Sequence, residues 1–180
     1  MSWRWALAAI ALLIGACGGS DAPLDEVTDA PVAVASGAAS SLYFPGPGGR
    51  LFPEERELDL AGEPEARIRT LLAALLGGPE QDGHLPVFDF AVAVAGVYLT
   101  VDGVAFVDLE PAEEGELEPA AGSHQEIQTV YSLVNTIALN VPEARRVVLL
   151  WEGQQGLTFS GHLDTSRPLG AAPDLIERQP

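Results

Sequence analysis

The chain has 180 residues, 26 Asp and Glu against 9 basic residues that are all Arg, and a formal net charge of −17. Such a surplus repels nucleic-acid phosphates and anionic lipid headgroups, so neither is an expected partner. With one cysteine in the chain there can be no intramolecular disulfide, and an exported fold must rest on its own core.

The N-terminus reads MSWRWALAAIALLIGAC, with a positive charge at Arg4, an apolar run from Trp5 to Ile14, and small residues before Cys17. This is the layout of a secretory signal peptide, and the run falls short of the roughly 20 apolar residues that span a bilayer. Ile14-Gly15-Ala16-Cys17 resembles the lipobox of bacterial lipoproteins, which implies cleavage after residue 16 and acylation of Cys17. Gly18 directly after the cysteine favours an outer membrane if the cell has two; otherwise the expected place is the outer face of the plasma membrane. The membrane partner is thus expected to be reached through lipid, not through charge.

Residues 17–40 are small, acidic and proline-rich with no apolar period, which reads as a disordered tether. A flexible coil of that length spans roughly 25 to 30 Å. A single folded domain is expected over residues 41–169, followed by a flexible tail over 170–180. Ser41 to Phe44 and Arg50 to Leu58 read as strands joined by Gly46-Pro47-Gly48-Gly49, with Pro53 marking an edge or a bulge. Pro64 opens a helix carrying Ile68, Leu71, Leu72, Leu75 and Leu76, which Gly77-Gly78-Pro79 ends. Val92 to Val101 and Val104 to Leu109 read as strands joined at Asp102-Gly103.

Ser123 to Glu126 has the form of a capping box ahead of a helical stripe of Ile127, Val130, Tyr131, Val134, Ile137, Ala138 and Val141, stopped by Pro142. Val147 to Trp151, the turn Gly153 to Gly156, and Leu157 to Phe159 read as a closing hairpin. The order ββαββαββ predicts an α+β domain, with a mostly antiparallel sheet and both amphipathic helices on one face.

The blocks LYFPGPGGRLFPEERELDL, PEARIRTLLAALLGGP, GVYLTVDGVAFVDL, YSLVNTIALNVPEARRVVLLWEGQ and SGHLDTSRPL resemble, in order, the GerMN domain, named after a sporulation and spore germination protein. The resemblance runs from about Leu42 to Leu169. It implies a fold similar to ring-building motifs and a non-catalytic envelope domain, with sporulation or germination as the setting in some members. It also leaves self-association open. The acidic insertion Glu110 to Pro119 departs from the family pattern.

Chemistry-bearing motifs are sparse. Ser160, His162 and Asp164 offer a nucleophile, a base and an acid, but alternation along one strand would not link them into a relay. His84 and His124 read as a loop and a cap residue. Glu110, Glu113, Glu114, Glu116 and Glu118 lack the spacing of a calcium loop, and Gly46, Gly48 and Gly49 precede no helix and no lysine. No catalytic residue, metal or cofactor is expected. The candidate partner contacts are Tyr43, Phe44, Trp151 and Gln154, in a module that binds or scaffolds an envelope protein. Recognition of peptidoglycan or another wall polymer is the alternative, and cell-wall hydrolysis the third.

Overall fold

The computed structural model describes residues 37–113 and 122–178. The signal peptide, Cys17, nearly all of the tether and most of the acidic insertion lie outside the described residues.

Strand β1 (Gly37–Pro45) and strand β2 (Leu51–Asp59) pair antiparallel along their whole length, from Gly37 opposite Asp59 to Pro45 opposite Leu51. The ladder starts four positions before the expected domain boundary at 41, and Ser40 is buried within it. Proline costs this ribbon little, because Pro53 sits in a strand with one ladder partner.

Helix α1 (Pro64–Leu76) begins with its proline at the first turn, where the missing N–H is not needed, and buries Ile68, Leu71, Leu72 and Leu75. Strands β3 (Val92–Leu99) and β4 (Val104–Pro111) then form an antiparallel pair with a bulge at Ala95, between Val94 and Gly96. Their turn is wider than Asp102-Gly103 alone. The Thr100 carbonyl accepts the Gly103 amide, and Gly103 lies at φ 79. A Cβ there would meet Arg145 Nε and the Glu143 carbonyl at 2.8 Å, so the turn accepts only glycine without a shift. The Gly103 carbonyl in turn receives the amides of Arg145 and Arg146, which docks the chain entering β5 (Arg146–Trp151).

Helix α2 (Ser123–Asn140) carries the chain across, and β5 lies parallel to β4. The described residues therefore form a two-stranded ribbon and a three-stranded sheet in the order β3-β4-β5. The α+β class with two helices and mostly antiparallel pairing is as expected. The closing hairpin is not: residues 157–159 form no strand, and the order is ββαββαβ. The reason is that both edges of β5 are taken, one by β4 and the other by an antiparallel bridge between Val147 and Leu169. The tail is likewise no loose end. Residues 173–175 form a 3-10 turn, Ile176 bridges Leu51, and the Asn135 side-chain amide exchanges two hydrogen bonds with Ala172 at 2.7 and 3.2 Å.

One core joins Leu71, Leu72 and Leu75 of α1, Val130, Leu133, Val134 and Ile137 of α2, and Ala105, Val107, Leu109, Val147 and Leu149 of the sheet. Apolar residues are four of the ten that α2 buries. Gln128, Thr129, Ser132, Asn135 and Thr136 are buried as well. Buried polar groups are as a rule bonded, and all of these except Ser132, whose hydroxyl has no partner, bond to the backbone of other segments. Gln128 Nε2 donates to the carbonyls of Gly46 and Arg50 at 2.9 and 2.8 Å, and Thr129 Oγ1 to that of Val87 at 3.1 Å. Thr136 Oγ1 accepts the Tyr43 amide at 3.1 Å. Asn140, at the end of the helix, accepts the Ser41 amide at 3.1 Å and donates to its carbonyl at 2.8 Å. Side chains of α2 thus stand in for a third strand along the free edge of β1.

Candidate functional site

Two buried carboxylates organise the loops. Glu126 was expected to cap its own helix, but the N-cap is Gly122, which bears no side chain to do so. Glu126 lies deeper, at 0 % exposure, and turns toward the chain after β5. It accepts the Ser160 amide at 2.6 Å, the His162 amide at 2.7 Å and the His162 ring Nδ1–H at 3.1 Å. Burial by itself would raise the Glu126 pKa. The amides of Ser160, Leu163 and His162, with the His162 ring, outweigh it and hold the carboxyl below its ordinary value.

Glu54 repeats the device in β2. It accepts the amides of Glu80 and Gln81 at 3.0 and 3.1 Å, Arg56 Nη2 at 2.6 Å and His84 Nδ1–H at 2.6 Å. Burial again opposes ionisation, but Arg56, the two amides and His84 hold its pKa at about 2. Neither carboxylate stands out in the sequence. Each is one acid among 26, and apart from Arg56, two positions from Glu54, the partners that distinguish it lie 26 or more positions away.

The residues of the Ser160, His162 and Asp164 motif are engaged separately. Asp164 Oδ1 accepts the Ser166 amide at 3.0 Å and its hydroxyl at 2.6 Å, while His162 turns to Glu126. Loop 155–165 is closed at its base by Thr165, which donates its amide to the Leu157 carbonyl at 2.9 Å and accepts Gln155 Nε2 on its own carbonyl at 2.9 Å. The loop is therefore a fixed platform, and it holds the Leu157 side chain 80 % exposed.

Four aromatic rings meet at this platform, one of them Phe159 of the loop itself. Trp151 meets Phe88, Phe90 and Phe159 at centroid distances of 6.1 Å each, edge-on to the last two. Trp151 is half-buried against the core, and its Nε1–H is buried without a hydrogen-bond partner. The following turn places Glu152 at φ 49 and Gly153 at φ 77, and Gln154 closes it with two backbone hydrogen bonds to Trp151 at 2.9 Å. A glutamate in this region is strained by about 1–2 kcal/mol. The strain is held by the Glu152 amide on the Leu109 carbonyl and the Gly153 amide on Asp108 Oδ1, both at 2.8 Å.

Of the four candidate contacts, Trp151 and Gln154 thus share one end of the sheet, with Gln154 exposed. Tyr43 and Phe44 do not join them. Both are buried, at 8 % and 0 % exposure, because α2 and the core cluster cover β1. They are core residues and offer no surface. Cys17 lies outside the described residues, as do Glu114, Glu116 and Glu118. Among the described residues, no group of three His, Cys, Asp or Glu is placed to hold a metal ion, and no helix is long and apolar enough to cross a membrane.

The architecture defines a small α+β domain in which a buried helix and two buried carboxylates fix the connecting loops. Residues 41–156 match the family model Germane, described as sporulation and spore germination, and the chain belongs to this family. Its fold is similar to that of the first GerMN domain of the sporulation protein GerM from Bacillus subtilis, with a TM-score of 0.58, 19 % identity, and coverage of 74 % of this chain and 97 % of that one. A Clostridium perfringens chain described as a candidate lipoprotein is similar at a TM-score of 0.53 and 23 % identity, with coverage of 78 % and 93 %. The tandem GerMN domains of GerM are similar at a TM-score of 0.56 and 17 % identity, with coverage of 75 % and 46 %. Among curated proteins, none matches at a significant level.

Proposed function

We propose that this chain is a non-catalytic binding or scaffolding module of the bacterial cell envelope, held to a membrane by lipid on Cys17 and docking an envelope protein. The observation that carries the reading is the exposure of Leu157 on a loop whose base is closed by Thr165 and whose tip is held by Glu126. A single exposed apolar side chain is ordinary at a surface, but Leu157 shares its loop with Phe159, whose ring meets the half-buried Trp151, and that apolar group is the proposed contact surface. Family membership in a sporulation and germination group supports an assembly role, and the likeness to a candidate lipoprotein supports an envelope location. The separate engagement of His162 and Asp164 supports binding over hydrolysis.

The test is site-specific photocrosslinking from position 157 in the full lipidated chain, in its native membrane. One or two defined envelope proteins should be captured, and Leu157→Glu introduced beside a crosslinker at position 154 should abolish the adduct. Capture of wall fragments alone would replace this reading with the polymer-binding one.

A further inference from the structure

A second surface, independent of the Leu157 platform, lies on the opposite edge of the sheet. Strand β3 ends the three-stranded sheet, and among the described residues no bridge or backbone hydrogen bond joins its outer edge to another strand. The direction of its backbone groups follows from one bond. The Ala91 carbonyl accepts the Ala112 amide on the β4 side, so alternation turns the N–H and C=O of Val92 and Val94 outward. Further along the same edge, the outward Leu99 amide already has an acceptor, Glu65 Oε1 at 3.3 Å. The Val92–Val94 stretch has none.

A groove of ≈ 440 Å³ opens there between β3 and α1, lined by Val92, Ala93 and Val94 and by Arg69, Ala73, Leu76 and Gly77. The helical residues share one face, and the small Ala73 and Gly77 leave room beside the strand edge. Among the described residues the side chains of Arg69, Arg146, Arg167 and Arg178 make no ion pair or hydrogen bond, and of these Arg69 is the one that lines this groove. In contrast, Arg50, Arg56 and Arg67 each hold a glutamate. The net charge of −17 repels an acid over most of the chain, so a carboxylate is favoured here only locally, by the uncommitted Arg69 on the groove wall.

We propose that the groove between α1 and the open edge of β3 takes an extended acidic peptide segment of a partner protein as an added strand, with a carboxylate on Arg69. Main-chain bonds to Val92 and Val94 would supply register, and the guanidinium would supply preference for acid over base.

The experiment titrates the folded full chain with two synthetic probes, the capped peptides Thr-Val-Glu-Val-Thr and Thr-Val-Lys-Val-Thr, followed by amide chemical shifts. The acidic probe should move the Val92 and Val94 amides and bind roughly ten-fold more tightly than the basic one, the size expected of one charge-assisted contact. Arg69→Glu should reverse that preference, and Ala73→Leu, which fills the groove, should abolish binding of both. Equal binding of the two probes, shifts confined to the outer sheet face at Tyr98, or a preference that Arg69→Glu leaves unchanged would overturn the proposal. So would concentration-dependent shifts at Val92 and Val94 without any probe, which would assign the edge to a second copy of the chain.

Discussion

Glu126 and His162 are 36 positions apart, yet the buried carboxylate holds the histidine twice, by its amide at 2.7 Å and by its ring nitrogen at 3.1 Å. The pair converts what would be an open connection after β5 into a fixed loop, and with it fixes the surface proposed for binding. Removing the acceptor leaves at least two backbone amides without a partner in a buried place.

Glu126→Gln should therefore destabilise the domain by about 2–4 kcal/mol, the range for breaking a buried charged network. The amide protons of Ser160 and His162 should lose exchange protection before the rest of the domain does. Urea unfolding combined with hydrogen exchange checks this, and unchanged protection at both amides would refute the clamp.

The two depressed carboxylates set an acid limit on stability. Glu54 has its ordinary pKa of 4.5 when unfolded and about 2 when folded, so the contribution is complete above 4.5 and is lost as pH falls toward 2. A shift of that size corresponds to about 3 kcal/mol. Glu126 acts in the same direction. Stability measured from pH 6 to pH 2 should fall steeply below pH 4.5, and Glu54→Gln should flatten that slope while lowering stability at pH 6. A slope that is the same in both proteins would show that Glu54 does not supply it.

Asn140 bonds both backbone groups of Ser41 and, through Nδ2, the Thr136 carbonyl at 2.7 Å. Asn140→Ala should cost about 1–3 kcal/mol by unpairing the β1 edge. Thr136→Val, which keeps shape but drops the acceptor for the Tyr43 amide, should cost about 1 kcal/mol. An exposed edge also invites pairing with other chains. Light scattering on concentrated Asn140→Ala should show association that the parent chain lacks, and a monodisperse variant would count against the edge-covering role.

Trp151 separates packing from hydrogen bonding. Its indole N–H is buried and unpartnered, so Trp151→Phe removes an unsatisfied donor as well as some contact area. The two effects oppose each other, and the net change should stay within about 1 kcal/mol. Trp151→Ala, which empties the centre of the aromatic cluster, should cost about 3–5 kcal/mol. Denaturant melts of the two variants decide the matter. If Phe were as harmful as Ala, the N–H would have to make a bond that matters.

The sequence by itself determined what depends on near neighbours. Leu71, Leu72 and Leu75 declared α1 through their helical spacing, Gly103 declared the β3–β4 turn, and Pro142 the end of α2, because each signal lies within a few residues of its effect. These local elements were enough for the α+β class and for the resemblance to the GerMN family. Tertiary structure alone decided the rest. It buried Gln128, Thr129 and Thr136, which a helical wheel assigns to water; it turned Glu126 from a helix cap into a loop clamp; and it gave the second edge of β5 to Leu169 instead of Leu157 to Phe159. It also placed Trp151 in the aromatic cluster and Tyr43 and Phe44 in the core. The physical reason is that a hydrogen bond or ring contact between distant segments leaves no period in the chain. A polar side chain has the same sequence whether its partner is water or a carbonyl brought to it by folding.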